Sequence, residues 1–209
     1  MPVDPIQLQL EQRLAERDRA RTDRLYLACE VLGYDFTVDT HQELFDSYPV
    51  FHDDKPWAEQ FTDDGDVLIL WPRGHFKSTA VIVLVIQAIL CNPDIRILLM
   101  QGTIKVTRGL LSEIRSHFDG SHSRSKFAEL FPEFCGDKKA LHASADKFTT
   151  PTRVRKQLQQ ATVTVASVKS IKTGQHYDAG FFDDLVNDSN YRNPELLLKV
   201  EEDFNMARP

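Results

Sequence analysis

The sequence lacks the cysteine pattern of secreted proteins, the long apolar runs of membrane-spanning proteins and the excess positive charge of proteins that bind nucleic acid over their whole surface. Its three cysteines are odd in number and lack metal-like spacing, which favours a reducing compartment over a disulfide framework. The apolar run at 80–90 is too short to cross a bilayer, and the polar N-terminus carries no signal-peptide pattern. A net charge of -6 argues against a surface that holds nucleic acid statically.

What the chain does have is an alternation of strand-like and helical segments. Apolar or β-branched runs predict strands, at 67–71, 95–100, 161–168 and 178–184. Helical spacing predicts helices at 38–49, 105–118 and from Pro194 onwards, where Asn193 is the cap. This alternation predicts an α/β fold, a mostly parallel sheet flanked by helices.

Residues 1–37 are expected to form a helical appendage to a main domain at 38–209. Gly33 is expected to end the helix. Its arginines are nearly matched by acids, which favours a solvated face that docks on the domain over a DNA-binding arm. The expected apolar positions of the helix are Leu10, Leu14, Leu25, Ala28 and Leu32.

The segment 72-PRGHFKST-79 is an incomplete phosphate-binding loop. Lys77 and Ser78 supply the cation and the hydroxyl that such a loop needs, but the pattern G-x-x-x-x-G-K-[ST] requires glycines where Trp71 and Phe76 stand. We expect the Phe76 side chain to point away from the phosphates and its backbone to avoid the conformation that glycine takes readily. Gly74 allows a tight backbone.

Two structures are open to the segment 80-AVIVLVIQAIL-90. Its β-branched residues favour a strand. Its position favours a buried helix, because a phosphate loop needs a helix N-terminus at Lys77–Ser78. We predict the helix.

Paired acids follow the last predicted strand, in 181-FFDD-184. In nucleotide hydrolases of this sheet type, one acid after a hydrophobic strand holds Mg²⁺ and the next deprotonates the attacking water. An ordinary acidic turn has the same composition. The joint occurrence of this pair with a strand followed by Lys-Ser predicts a nucleotide site at the carboxyl ends of the strands.

These residues, with three further stretches, are similar to a known family. The stretches are 126-KFAELFPE-133, 173-TGQHYDAGFFDDLVND-188 and the helix opened by Asn193–Pro194. From about Thr40 to Phe204 the chain resembles the ATPase domain of the large terminase subunit, the DNA-packaging motor of tailed phages. The resemblance implies a RecA-like P-loop NTPase that hydrolyses ATP with Mg²⁺ to drive double-stranded DNA into a procapsid.

The resemblance also implies roles for individual residues. Asp183 and Ser78 would hold Mg²⁺, and Asp184 would be the catalytic carboxylate, where the family more often has glutamate. Gln42 is a candidate for reading adenine, with a solvated helix residue as the alternative. Lys172 is a candidate for the cation that completes a neighbour's site. Arg73 would also stabilise the transition state. The residues of the phosphate loop would be Arg73, Gly74, His75, Phe76, Lys77, Ser78 and Thr79.

The implied partners are double-stranded DNA, the portal protein, the small terminase subunit and further copies in a ring, in the host cytoplasm at the procapsid portal. We expect the chain to be a fragment without the family's nuclease domain. In isolation it should be monomeric and should hydrolyse ATP slowly. Arg153, Arg155 and Lys156 either grip DNA or form a solvated loop, and we favour the loop. Two other functions remain open: a helicase-like ATPase, and a nucleotide-binding module without turnover.

Overall fold

The computed structural model of the chain describes residues 5–48, 67–72, 74–167, 175–186 and 191–207. The α-helices in these residues are α1 (Pro5–Thr22), α2 (Arg24–Tyr26), α3 (Val38–Asp46), α4 (Lys77–Cys91), α5 (Ile104–Phe118), α6 (Phe127–Leu130) and α7 (Pro194–Ala207). A π-helical turn spans Leu27–Val31 and a 3-10 turn spans Pro132–Phe134.

Four strands form one mixed sheet in the described part of the chain. They are β1 (Ile97–Gln101), β2 (Lys147–Phe148), β3 (Val163–Ser167) and β4 (Ala179–Asp183). The spatial order is β2-β3-β1-β4, with β1 parallel to both β3 and β4 and with β2 antiparallel at one edge. The predicted α/β fold with a mostly parallel, helix-flanked sheet is therefore confirmed.

The two faces of the sheet are covered by different helices, and alternate side chains of β1 pack against each. Ile97 and Leu99 are buried in the main core, which also contains residues of α4 and α5. Leu98 and Met100 point to the other face and cluster with Val200 of α7. Because successive strand residues face opposite sides, Gln101 shares the face of Ile97 and Leu99.

The segment after the loop is a helix, as predicted from its position. Helix α4 begins at Lys77 and ends at Cys91, and each residue from 80 to 90 is buried. A helix that is apolar on all sides is stable when it lies inside a protein, and here burial outweighs the strand preference of valine and isoleucine. Pro93, just beyond the C-cap Asn92, prevents the helix from continuing.

The N-terminal helix is interrupted where one continuous helix was expected. Helix α1 ends at Thr22, and the Asp23 carboxylate accepts a hydrogen bond from the N–H of Tyr26, which starts a new turn. Leu10 and Leu14, two of the expected apolar positions, are exposed. Gly33 ends the helical segment with φ +80°, and a Cβ there would lie 2.7 Å from the carbonyl oxygen of Arg124.

A buried polar contact joins the N-terminal helices to α4. The Gln87 Oε1 atom accepts a hydrogen bond from Arg24 Nε at 2.7 Å, and Gln87 Nε2 donates to the Arg21 carbonyl at 2.9 Å. Burial lowers the pKa of Arg24 to about 10. Residues on both sides of position 37 share one core. The division into an appendage and a main domain stays a prediction.

The predicted strand at 67–71 is wrong. Residues 67–72 form no regular element, and Leu68 and Leu70 are 83% and 84% exposed. Ile69 and Trp71 pack on the core, so the segment has a strand's alternation with only one covered face. A continuous apolar run does not by itself show that both faces are covered.

The basic stretch at 153–156 contains one structural arginine. Arg153 is buried, and its guanidinium donates hydrogen bonds to the carbonyls of Ile95 and Gln160. Its side chain is therefore not exposed to DNA. Arg155 lies 3.8 Å from Asp94, and Lys156 is exposed, as expected for a solvated loop.

Cys29, Cys91 and Cys135, all within the described ranges, form no disulfide bond. Within the described ranges, no helix is both long enough and apolar enough to cross a membrane.

The Arg24–Gln87 contact gives a test of the fold. We expect Gln87→Met, which keeps the shape and removes the acceptor, to lower the free energy of unfolding by about 1.5–3 kcal/mol, the range for a hydrogen bond to a charged group. Urea unfolding measures the change. Gln42→Met, which removes an exposed glutamine, should change stability by less than about 0.5 kcal/mol. Equal stability of the two variants would contradict a stabilising role for this contact.

Candidate functional site

Lys77, at the first position of α4, meets the acids at the end of β4. The Lys77 Nζ atom lies 3.1 Å from Asp183 Oδ1 and 2.8 Å from Asp184 Oδ1. Lys77 and Asp184 are 107 positions apart in the sequence. The two halves of the predicted site are therefore together in space.

Asp183 is the buried centre of this cluster. Its Oδ2 atom accepts hydrogen bonds from Ser78 Oγ at 2.6 Å and from Gln101 Nε2 at 3.0 Å. The residue is only 5% exposed, and an unpaired carboxylate at such depth would be strongly unfavourable. Gln101 and Asp183 are opposite one another in the β1–β4 ladder, which brings the amide beside the carboxylate.

Asp184 leaves the strand through an unusual backbone conformation. Its φ is +46°, in the left-handed region that aspartate tolerates better than most residues, and its carbonyl accepts a hydrogen bond from the N–H of Gly102. In a regular strand Asp183 and Asp184 would face opposite sides of the sheet. The left-handed turn instead lets both carboxylates reach Lys77. The Asp184 side chain is 75% exposed, so it can meet solvent water.

The charge of Lys77 is favoured by its acidic partners. Burial alone would lower the pKa of its ammonium group, but hydrogen bonds to Asp184 and Asp183 and their negative charges outweigh burial and raise it. Lys77 therefore stays protonated at neutral pH.

Phe76 departs from the expectation for its backbone. Its φ and ψ are +53° and +26°, the left-handed conformation that we expected the residue to avoid, so that prediction was wrong. The ring packs against Phe36 and His41, with centroids 5.6 and 5.8 Å away. These contacts help to hold a conformation that costs an L-residue about 1–2 kcal/mol. The loop thus keeps the geometry of a glycine position without glycine.

The other predicted loop residues are partly described. Gly74 has φ +82° and is exposed, which allows the tight backbone expected of it. His75 is exposed, and Thr79 lies in the first turn of α4. Arg73 and Lys172 lie outside the described residues.

Gln42 lies on the exposed side of α3, where its Nε2 atom donates to Asp46 Oδ1 at 2.8 Å. This contact is ordinary for a solvated helix residue. A role in reading adenine stays a prediction.

The oxygen atoms at the site suit magnesium in part. Mg²⁺ prefers oxygen ligands, keeps several waters, and is commonly bound by one or two carboxylates together with substrate phosphates. Ser78 Oγ and Asp183 Oδ2 provide two adjacent oxygens. Among the described residues there is no cluster of three or more histidine, cysteine or acidic side chains that could hold a metal. The arrangement fits a cation shared with a phosphate ligand.

Sequence reasoning missed Gln101. The predicted strand stopped at Met100, one residue too early, and glutamine in the extended strand was not considered. The signal was a polar residue directly after the apolar run 97-ILLM-100, at the edge of the sheet where ligands bind.

The left-handed backbone at Phe76 predicts an inverted preference between glycine and alanine. Both Phe76→Gly and Phe76→Ala remove the ring, but only alanine keeps a Cβ in the strained conformation. We expect the free energy of unfolding of Phe76→Gly, measured in urea, to be higher than that of Phe76→Ala by about 1 kcal/mol.

Ser112, an exposed residue within α5, is the control position. There, alanine should be the more stable by about 1 kcal/mol, because glycine disfavours a helix interior. The same order at both positions would contradict the left-handed conformation of Phe76.

A comparison with protein-family models finds no match for the chain, and a comparison with curated proteins finds none either. What the site does must therefore be inferred from its own residues.

Proposed function

We propose that the chain is the ATPase of a viral DNA-packaging motor of the large terminase subunit type, with a RecA-like P-loop NTPase core. The observation that carries the ATPase is the contact of Lys77 and Ser78, at the start of α4, with Asp183 and Asp184, at the end of β4. A cation, a hydroxyl and two carboxylates in this order are the parts that phosphoryl transfer to water requires.

The start of α4 is suited to the phosphates of ATP. The first N–H groups of a helix lack intrahelical acceptors, and the helix dipole favours negative charge there. Lys77 adds a full positive charge that would move from the two aspartates to the β- and γ-phosphate oxygens. Gly74 leaves space for the phosphates, since no atom lies within 4 Å of a Cβ placed on it.

The paired aspartates take different parts in hydrolysis. Ser78 and Asp183 would hold Mg²⁺, which when bound neutralises charge on the β- and γ-phosphates. The exposed Asp184 accepts a proton from the attacking water. The water oxygen bonds to the γ-phosphorus as the bond to the bridging oxygen breaks, and ADP leaves with the electron pair. Aspartate is one methylene shorter than the glutamate that is more frequent in the family, so slow turnover is expected.

The motor assignment is supported by the stretches 126–133 and 173–188 that resemble the terminase family. On this proposal, ATP turnover drives double-stranded DNA through the portal of a procapsid in the host cytoplasm. The chain would work in a ring with the portal protein and the small terminase subunit. Arg73, or a cation from a neighbouring copy such as Lys172, would stabilise the transition state.

A nucleotide-binding module without turnover is the second candidate, because Phe76 and Asp184 depart from the glycine and the glutamate that are more usual at these two positions of the site. A helicase-like ATPase of the same broad fold is the third. Phosphate release measured with and without a portal assembly separates the three. The packaging motor should be stimulated by the portal, the helicase-like enzyme by nucleic acid alone, and the binding module by neither.

Lys77→Ala tests nucleotide binding. Loss of the ammonium group removes a charge-assisted contact with the phosphates, so ATP affinity should fall about 10- to 100-fold in an equilibrium titration. Lys139→Ala removes the same charge from an exposed turn that follows Gly136, and it should leave ATP affinity unchanged. Wild-type affinity in Lys77→Ala would dismiss the loop as a phosphate site.

Asp184→Asn separates binding from chemistry. The variant should bind Mg·ATP, but phosphate release should fall by at least roughly a hundredfold, the scale of a lost general base. Asp183→Asn should instead raise the magnesium concentration that binding requires. Normal hydrolysis by Asp184→Asn would show that the acid pair has a structural role only.

A further inference from the structure

Gln101 is a buried amide whose oxygen end has no hydrogen-bond partner among the described residues. It ends β1 and is 5% exposed. Its Nε2 atom donates to Asp183 Oδ2 at 3.0 Å. Its Oε1 atom is buried and has no hydrogen-bond partner among the described residues.

The orientation of the amide follows from its partner. An ionised carboxylate can only accept hydrogen bonds, so the NH₂ group of Gln101 must face Asp183. A flipped amide would put Oε1 against a carboxylate oxygen and would be repelled. The unpaired atom is therefore the carbonyl oxygen, which requires a donor.

Gln87 shows what a purely structural buried glutamine looks like in the same protein. It is 2% exposed, and both ends of its amide are paired, with Arg24 Nε and with the Arg21 carbonyl. Buried polar atoms are usually paired in this way, because leaving one unpaired is unfavourable. The half-paired amide at Gln101 lies directly beside the site.

We propose that Gln101 is a positioning residue for the metal-binding carboxylate. Its NH₂ group holds the Asp183 side chain in place beside Ser78. Its Oε1 atom, which has no partner among the described residues, would accept a hydrogen bond from a water bound to Mg²⁺. This inference rests on the proposed function. Magnesium retains several waters, all of them donors, and residues that orient metal ligands typically change metal affinity 10- to 100-fold.

The sheet explains why Gln101 can do this. Gln101, Asp183 and Ser167 are aligned in register at the carboxyl ends of β1, β4 and β3. All three lie on the face that α4 covers, because side chains alternate along each strand. Because β1 is paired with β3 on one side and with β4 on the other, the Gln101 backbone is held beside Asp183.

Gln101→Met tests the proposal, since methionine keeps the length of the side chain and removes the amide. Binding of a non-hydrolysable ATP analogue is titrated at increasing Mg²⁺ and, separately, in EDTA. We expect the half-saturating Mg²⁺ concentration to rise about 10- to 100-fold, while binding in EDTA stays unchanged. Gln101→Asn, whose amide is one methylene too short to make the same contact, should shift the Mg²⁺ dependence in the same direction.

Gln87→Met is the matched control, because it removes a buried glutamine ten positions along α4 from Lys77, about 15 Å away. It should lower stability without changing the Mg²⁺ dependence. Wild-type Mg²⁺ dependence in both Gln101 variants, or an equal shift in Gln87→Met, would overturn the proposal while the ATP site stands. Failure of the wild-type chain to bind the analogue with Mg²⁺ would overturn both.

Discussion

The buried carboxylate of Asp183 is the contact on which the arrangement of the site depends. It accepts hydrogen bonds from Ser78 and Gln101 and pairs with Lys77, so it ties the start of α4 to the ends of β1 and β4. Removing a charge from water is strongly unfavourable unless such partners replace the water. The strand register, the start of the helix and the charge of Lys77 are therefore linked, and a shift in one of them leaves the carboxylate with fewer partners.

Two residues in strained conformations lie on either side of this contact. Phe76 and Asp184 both have positive φ. Phe76 directly precedes Lys77, and Asp184 directly follows Asp183. Strain of this kind persists where surrounding contacts hold it, and it is concentrated at functional sites. Here the ring contacts of Phe76 with Phe36 and His41, and the hydrogen bond from Gly102 to the Asp184 carbonyl, supply that support. Phe76 thus has a backbone conformation that glycine takes readily, although it carries a side chain.

Sequence patterns predict the helix after the phosphate loop and the acidic pair at the end of the last strand, because in both places a motif limits the local structure. The sequence predicts the helix over 80–90 because a lysine and a serine that bind phosphate need a helix N-terminus, although valine and isoleucine favour a strand. Asp183 and Asp184 lie at the carboxyl end of β4, in agreement with the rule that ligands bind at the carboxyl ends of parallel strands. The strand expected before Lys77, at 67–71, is not formed, so the same rule does not account for the position of Lys77.

Other features depend on tertiary contacts that no local pattern encodes. The segment at 67–71 has the composition of a buried strand, but whether its second face is covered depends on distant residues. Arg153 lies in a basic stretch typical of a protein surface, yet it is buried and donates hydrogen bonds to the carbonyls of Ile95 and Gln160. The left-handed backbone of Phe76 depends on the rings of Phe36 and His41, more than thirty positions earlier in the chain.

The central claim is that Lys77, Ser78, Asp183 and Asp184 bind and hydrolyse a nucleoside triphosphate. A crystal structure of the chain with Mg²⁺ and a non-hydrolysable ATP analogue tests it most directly. The account predicts that Lys77 Nζ leaves the two aspartates and contacts the β- and γ-phosphate oxygens, with Mg²⁺ beside Ser78 and Asp183. A nucleotide bound elsewhere, with Lys77 still paired to both aspartates, would contradict it.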